Sequence, residues 1–245
     1  MANTAGENLV DDPTPTTDDY LLSVNDPAGT PASRFLKISN FLPLLISNVN
    51  IQIFTANGTY TPNTNMKKCL LIAVGAGGAG VGGTGTDTAS GGGGGGGTAI
   101  KLVANSVIGS AQTVTIGIGA TAVAGTNTSV GIIVLATGGS VGVEGGSTTL
   151  GTGGAGGVGG VGSNSDLNIV GEAGARSVLY STTLGEGGNG GRSLFGGAGR
   201  GGSDNTPGNT GGLYGGGGGG GHASGTPDIA GGAGANGVVY IIEFT

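Results

Sequence analysis

The fold is decided where an apolar run meets a glycine run: residues 68–80 read KCLLIAVGAGGAG. The apolar part, Cys69 to Val74, is uninterrupted, which is typical of a β-strand buried on both faces. A second uninterrupted apolar run, VVYII, stands at residues 238–242. We therefore expect strands at residues 68–74 and 238–244 to form the centre of the fold.

Glycine is distributed unevenly around this point. The chain of 245 residues holds 62 glycines, but the first 74 residues contain only Gly6, Gly29 and Gly58. This change in composition predicts two regions, an N-terminal segment at residues 1–50 and a glycine-rich domain at residues 51–245. Residues 1–50 carry much apolar sequence but are too few to build a core of their own, so we expect them to be buried against another copy of the chain or against a larger body.

The pattern of short apolar runs predicts an all-β fold, since no stretch has a helical period. In the N-terminal segment we expect strands at residues 20–24 and 34–38 and a short helix at residues 41–46. The dipeptide Asn57-Gly58 favours a β-hairpin within residues 52–61. Further strands are predicted at residues 98–103, 113–118 and 132–136.

The glycine runs between these strands allow two interpretations. Glycine-rich sequence is typical of flexible linkers, but a linker also uses Ser, Glu and Lys, which are scarce here. The alternative is a lattice of polyglycine-II-type helices with three residues per turn, packed closely because glycine has no Cβ. Ordering a residue costs about 1–2 kcal/mol and a hydrogen bond returns about 0.5–1.5 kcal/mol, so such helices need many neighbours and an adjoining core. We favour this packed lattice on a small β-sandwich.

The composition excludes several functions. Only 9% of the residues are charged and eight are basic, with no basic cluster, which argues against nucleic-acid binding. Cys69 is the sole cysteine, so the chain forms no internal disulfide. The first residues, MANTAGENLVDD, lack the basic and apolar regions of a secretion signal.

Three glycine motifs resemble functional sites without the required context. Residues 75–80 match G-x-G-x-x-G, but no helix is predicted to follow for binding a dinucleotide. Ser140 lies in a G-x-S-x-G match with Glu144 and His222 as partners on paper, yet no strand-to-helix turn is expected. Residues 82–88 resemble a single calcium-binding nonapeptide, whereas such sites are built from tandem copies. We therefore predict no enzyme activity, no cofactor and no metal.

Binding is the function that these exclusions leave. Six bulky or charged residues stand in or beside glycine turns, and local packing is the commoner role of such residues. The functional hypothesis is that they form a contact surface on loops, where Tyr and Arg are frequent in recognition. The candidates are Tyr180, Arg192, Phe195, Arg200, Tyr214 and His222.

The order of the pieces from residue 52 to 245 resembles the glycine-rich domain of bacteriophage tail fibres. The resemblance lies in residues 54–62 (FTANGTYTP), the 68–80 run, the seven glycines at 91–97, and the segments QTVTIGIG at 112–119, ATGG at 136–139, SDLNI at 165–169 and GVVYIIEF at 237–244. Residues 18–45 are similar to the short segment by which many phage fibres attach to the virion.

The resemblance implies a virion protein, commonly a homotrimer, assembled in the host cytoplasm. It implies a short tail fibre or tail-tip protein that helps to recognise the host surface, a glycan or an outer-membrane protein. The glycine domain is similar in style to T-even-like distal adhesins, whose loops between glycine helices touch the receptor. Residues 1–50 would contact other virion proteins. The alternative is a head-decoration or head-fibre protein without receptor binding.

Overall fold

The protein is described by a computed structural model. It covers strand residues 20–24 and 33–37, and residues 48–245 other than 86, 147–153, 182 and 226. The chain divides into two compact units, residues 1–48 and 49–245. The predicted helix at residues 41–46 lies outside the described residues.

The first unit contains one antiparallel strand pair. Strand β1 (Tyr20–Val24) pairs with β2 (Ser33–Lys37), with Leu22 opposite Phe35. Both strands were expected from the sequence, and the second begins one residue earlier than predicted.

The second unit contains two five-stranded antiparallel sheets. Sheet I has the spatial order β4 (Gly58–Tyr60), β8 (Gln112–Thr115), β9 (Thr128–Val130), β10 (Val134–Ala136) and β11 (Gly162–Ser163). Sheet II has the order β3 (Val49–Phe54), β16 (Val238–Phe244), β5 (Lys68–Val74), β7 (Thr98–Ala104) and β12 (Leu167–Ile169).

Four very short strands form two further pairs outside the two sheets. Strand β6 (Thr88–Ala89) pairs with β15 (His222–Ala223), and β13 (Val178–Leu179) pairs with β14 (Gly185–Glu186). The one helix among the described residues is α1 (Asn105–Ile108). The fold is therefore the all-β sandwich that the sequence predicts.

The hydrophobic core lies between the two sheets. Sheet II contributes alternate residues of its central strands, such as Leu71 of β5 and Ile241 of β16, and both are fully buried. Sheet I contributes Tyr60, Val114 and Val130, which are also fully buried. Alternation of this kind places one face of each strand against the opposite sheet.

Two expectations about the strands are wrong. Strands β3 and β4 do not form the Asn57-Gly58 hairpin, because β3 pairs with β16 in sheet II and β4 pairs with β8 in sheet I. A two-residue type I′ turn needs positive φ at both central residues, and neither Asn57 nor Gly58 has one. Instead the Asn57 carboxamide oxygen accepts a hydrogen bond from the backbone N–H of Ile116, at 2.7 Å.

The second error concerns burial of the two central strands. On the side of β5 and β16 away from the core, Leu70, Ile72, Tyr240 and Ile242 are only half-buried. The continuous apolar sequence therefore has one covered face within the chain and one partly open face.

Glycine segments follow or precede the strands of the sandwich directly in the chain. Residues 75–81 follow β5, and residues 91–97 precede β7; the backbone N–H groups of Gly75, Gly78 and Val81 donate to the carbonyls of Gly97, Gly94 and Gly91. This antiparallel pairing has a period of three residues, whereas a β-ladder has a period of two. The residues between them bond to other segments: Gly77 and Gly80 donate to Ala235 and Gly232. A three-residue period is what the polyglycine-helix interpretation requires, and the helical conformation itself stays a prediction.

We call these hydrogen-bonded glycine segments the glycine lattice. The two runs of seven consecutive glycines, at residues 91–97 and 215–221, lie in its interior. Backbone hydrogen bonds join residues 91–97 to six neighbouring segments, at residues 75–81, 137–143, 157–160, 172–175, 188–191 and 215–218. Residues 215–221 are likewise surrounded, by segments at 78–81, 90–96, 188–191, 199–202, 209–212 and 232–236. With backbone on every side, a Cβ added to any residue of 91–97 would lie 2.4 Å or less from another backbone atom.

Segments at the edge of the lattice carry side chains at every third position. In residues 154–162, Ala155, Val158 and Val161 are exposed, while the glycines between them bond inward to neighbouring segments. The number of neighbours thus decides where the sequence departs from glycine. An outer position tolerates a side chain, and an interior position does not.

Candidate functional site

The dinucleotide-like motif at residues 75–80 forms backbone hydrogen bonds within the glycine lattice. The backbone N–H groups of Gly75, Gly77 and Gly80 donate to the carbonyls of Gly97, Ala235 and Gly232. These three glycines are buried, so their N–H groups do not face solvent, where a phosphate would need them.

The hydrolase-like triad is not assembled. Ser140 is exposed on an outer segment, and its backbone N–H donates to the carbonyl of Val158. The carboxylate of Glu144 accepts hydrogen bonds from Thr84. His222 is fully buried, and its ring nitrogens have no hydrogen-bond partner within the described part of the chain.

Metal and membrane features were also sought in the described ranges. These residues contain no group of three or more His, Cys, Asp or Glu side chains placed to hold a metal ion. None of their helices has the length and apolar character needed to cross a membrane.

The structure separates the six candidate contact residues into several places. Tyr180 is exposed beside the turn between β13 and β14, and Phe195 contacts the ring of Tyr240 edge-on, with 5.2 Å between centroids. The Tyr214 carbonyl accepts a hydrogen bond from the Ser193 hydroxyl. His222 is fully buried in β15 and therefore does not lie on a contact surface.

Arg192 and Arg200 are the two candidates that come together. They line one shallow hollow of about 400 Å³ on the outside of the lattice. Its walls are three neighbouring segments, 172–176, 187–192 and 198–203. An adjoining hollow of about 270 Å³ shares Arg200 and adds Arg176 and Glu186. We call these two hollows the arginine groove.

The floor of the arginine groove is fixed by backbone bonds. The N–H groups of Glu172 and Ala175 donate to the carbonyls of Arg192 and Asn189, at 2.8 and 2.7 Å. On the other side, the N–H of Gly190 donates to the carbonyl of Gly199, at 2.8 Å. Because main-chain hydrogen bonds hold these three segments together, the side chains of the groove are presented on a rigid support.

The guanidinium groups of the groove have no partner among the described residues. Arg176, Arg192 and Arg200 are exposed, and within the described residues none of their side chains forms a hydrogen bond or an ion pair. The carboxylate of Glu172 accepts a hydrogen bond from the backbone N–H of Arg192, at 3.2 Å. Three planar, multiply donating groups therefore point to a polar or anionic ligand.

Sequence reasoning missed part of this groove. Arg176, Glu172 and Asn189 occupy outward positions of adjoining segments, but nothing in their local sequence marks them. The signal that would have found them is the three-residue period, which places residues 172 and 175 opposite 192 and 189. That pairing depends on which segments are neighbours, and this is not readable from glycine content.

The sandwich contains a buried carboxylate that also escaped the sequence analysis. Glu243 of β16 is fully buried, and its oxygens accept hydrogen bonds from the Tyr60 hydroxyl at 2.7 Å, the Asn50 amide at 2.8 Å and the backbone N–H of Asn63 at 3.0 Å. Burial alone would raise the pKa of Glu243, but these donors hold it below its ordinary value. The network joins β3, β4 and β16, so we assign it a structural role.

Two further titratable groups are sealed inside the fold. Burial raises the pKa of the Cys69 thiol to about 11, so the thiol is protonated and unreactive at neutral pH. Burial lowers the pKa of His222 below its ordinary value, against the smaller opposing influence of Asp204 and Asp87. Neither group faces the arginine groove.

One known protein family matches most of the chain. The family described as a glycine-rich domain matches residues 54–242. The chain belongs to the glycine-rich domain family. Its matched region begins at the last residue of β3 and ends within β16, so it takes in most of the sandwich and the whole glycine lattice. Among curated proteins, no significant match was found.

Proposed function

We propose that this chain is a structural protein of a bacteriophage virion, a short tail fibre or tail-tip protein that takes part in host-surface recognition. The observation that carries the proposal is the arginine groove, in which guanidinium groups without a partner in the described part of the chain stand on a rigid backbone lattice. A support of this kind removes the cost of ordering the backbone on binding, so that only the side chains have to be ordered. The tail-fibre resemblance of residues 52–245 supplies the biological setting.

The partners follow from the same proposal. A host glycan or an outer-membrane protein is the ligand, and the groove's hydrogen-bond donors suit either through hydroxyl, carboxylate or phosphate groups. Residues 1–50 bind other virion proteins, and the chain acts as a homotrimer without enzymatic activity, metal, cofactor or nucleic acid. The protein is assembled in the host cytoplasm and resides in the virion.

Adsorption of purified protein to host cells tests this proposal. We expect labelled protein to bind intact cells of the phage's host and to compete with phage particles for them. Replacing Arg200, which both hollows share, by Ala should weaken binding by about tenfold or more, as for a residue at the centre of an interface. Ile132→Ala is the control, because it truncates a side chain that is 92% exposed and lies outside the groove.

Head decoration is the second candidate, and one observation favours it. The lattice is complete through its own backbone bonds, so a scaffold role on the capsid needs no ligand at all. Immunogold labelling of virions separates the two functions. Label on the capsid lattice, together with no adsorption to host cells, would overturn the tail assignment.

A further inference from the structure

The outer face of sheet II, the side away from the core, is a broad apolar surface. Its residues are brought together by strand register: Ile51 and Ile53 of β3 stand opposite Ile242 and Tyr240 of β16. Further across the sheet, Leu102 of β7 and Leu167 of β12 lie on the same face. We call this surface the outer sheet face.

Its most exposed side chains lie on the two edge strands, β3 and β12, and on β7. Ile51 is 58% exposed, Ile53 56%, Leu167 53% and Leu102 49%. The half-buried ring of Tyr240 lies between the two ends of the face, and Phe195 extends it by packing on that ring. Phe195 is thus part of this apolar surface and does not line the arginine groove.

The size of the face matches an interface. Five strands about 4.8 Å apart, each with about three side chains spaced about 6.8 Å along it, cover roughly 400–500 Å² in projection. This is as large as the largest apolar patch on a typical monomer, and such patches mark interaction sites. The accessible area of protruding side chains exceeds their projection, so it approaches the roughly 800 Å² per partner of a standard interface.

The charge pattern of the outer sheet face favours another copy of this chain as its binding partner. Where copies associate through the same patch, each patch meets its equivalent, so a charged patch would meet like charge. Among the described strand residues of the outer sheet face, Lys68 at the end of β5 is the only charged one. The core side of the same sheet carries Lys101 and Glu243. An apolar face whose one charge lies at the end of a strand is complementary to the equivalent face of another copy, because its centre brings no like charges together.

We propose that the outer sheet face is the surface through which copies of this chain associate. Apolar burial between equivalent sheets supplies the driving force. This inference rests on the proposed homotrimer, whose contact surface it locates. It does not depend on host recognition, because the arginine groove and the outer sheet face share no residue.

Mass measurement of the full chain tests the proposal. We expect light scattering to give a multiple of the 22.9 kDa chain mass for the wild type. Ile51→Lys should reduce the mass to that of one chain, because it places like charges in the contact. Ile132→Lys is the matched control: Ile132 is 92% exposed in the turn between β9 and β10, away from the face, and its substitution should leave the mass unchanged.

A milder pair of variants covers the case in which a lysine prevents folding. Ile53→Cys should be protected from a bulky maleimide in the assembled protein, whereas Ile132→Cys should react rapidly. The native Cys69 is buried and does not interfere. A wild type with the mass of one chain, or an Ile53→Cys variant that reacts as fast as Ile132→Cys, would overturn the proposal. Protection of Ile53→Cys in a single chain would show that residues 1–47 cover the face and would also overturn it. Neither result bears on adsorption to cells.

Discussion

The sandwich and the glycine lattice solve the same packing problem in opposite ways. In the sandwich, side chains such as Leu71 and Ile241 fill the space between two sheets, and the backbone lies outside that space. In the lattice, the backbone of residues 91–97 fills the interior by itself. The sandwich is therefore sensitive to lost volume, and the lattice is sensitive to added volume.

The largest effect is expected from the smallest addition to the lattice. Gly94→Ala places a Cβ 2.1 Å from the backbone carbonyl oxygen of Val158. Overpacking at about 1–3 kcal/mol and two or more strained hydrogen bonds at about 0.5–1.5 kcal/mol each give a loss of about 4 kcal/mol in the free energy of unfolding. Denaturant unfolding measures it. Gly197→Ala is the control, because a Cβ there meets nothing within 4 Å, and it should change stability by less than about 0.5 kcal/mol. Equal effects of the two variants would contradict the interior packing.

In the sandwich, removal of side-chain volume should destabilise the fold. Leu71→Ala removes volume from a fully buried position between the sheets and should cost about 3 kcal/mol, from lost burial and the cavity left behind. Denaturant unfolding again measures the loss. Leu102→Ala, on the half-open side of the neighbouring strand, is the comparison and should cost much less in the single chain. If Leu71→Ala is tolerated, the core is not between the sheets.

A smaller effect is expected in the polar network of the sandwich. Tyr60→Phe removes one donor from the buried Glu243 carboxylate and should cost about 2 kcal/mol at neutral pH. The lowered pKa of Glu243 stabilises the fold above about pH 4, the pKa range of an unfolded glutamate, and this contribution is lost as the pH falls. The difference between wild type and variant should therefore shrink in acid, which unfolding at several pH values measures. A difference independent of pH would show that the hydroxyl does not act through the carboxylate.

The smallest effect is expected at His222, at the end of the glycine lattice away from the sandwich. Its folded pKa lies below the unfolded value of about 6.5, so the unfolded chain binds more protons in acid and stability falls as the pH drops below that value. His222→Leu removes two buried nitrogens that have no partner among the described residues, and it should raise stability by about 1 kcal/mol at neutral pH, and by more at pH 5. Thermal unfolding across this range measures the trend. A gain that is the same at every pH would contradict a buried neutral imidazole.

The sequence predicts the sandwich better than it predicts the lattice. Strands β5 and β16 were placed at their observed residues because each is a continuous apolar run bounded by glycine or a polar residue. Two-residue strands such as β6 and β15 were missed, since they carry no period. The Asn57-Gly58 hairpin failed because local turn preference was overridden by pairing of the two flanking strands with different sheets.

The candidate site shows the same limit. Arg192 and Arg200 were selected for residue type, and they share a groove because their segments are neighbours in the lattice. His222 was selected by the same criterion but is buried, because it directly follows an interior glycine run and pairs with Ala89. Residue type and spacing identify glycine segments, but the contacts between segments decide which side chains reach the surface.

The three-residue period of the lattice has a consequence for how such a gene can change. Because each residue of a segment faces the same neighbour as the residue three positions on, a gain or loss of one whole triplet leaves every remaining residue facing its original side. A gain or loss of one or two residues turns the rest of the segment and directs outward side chains into the interior. Segment length is therefore free to vary in steps of three, and the loops at the segment ends can be moved outward or inward without redesign of the scaffold that carries them.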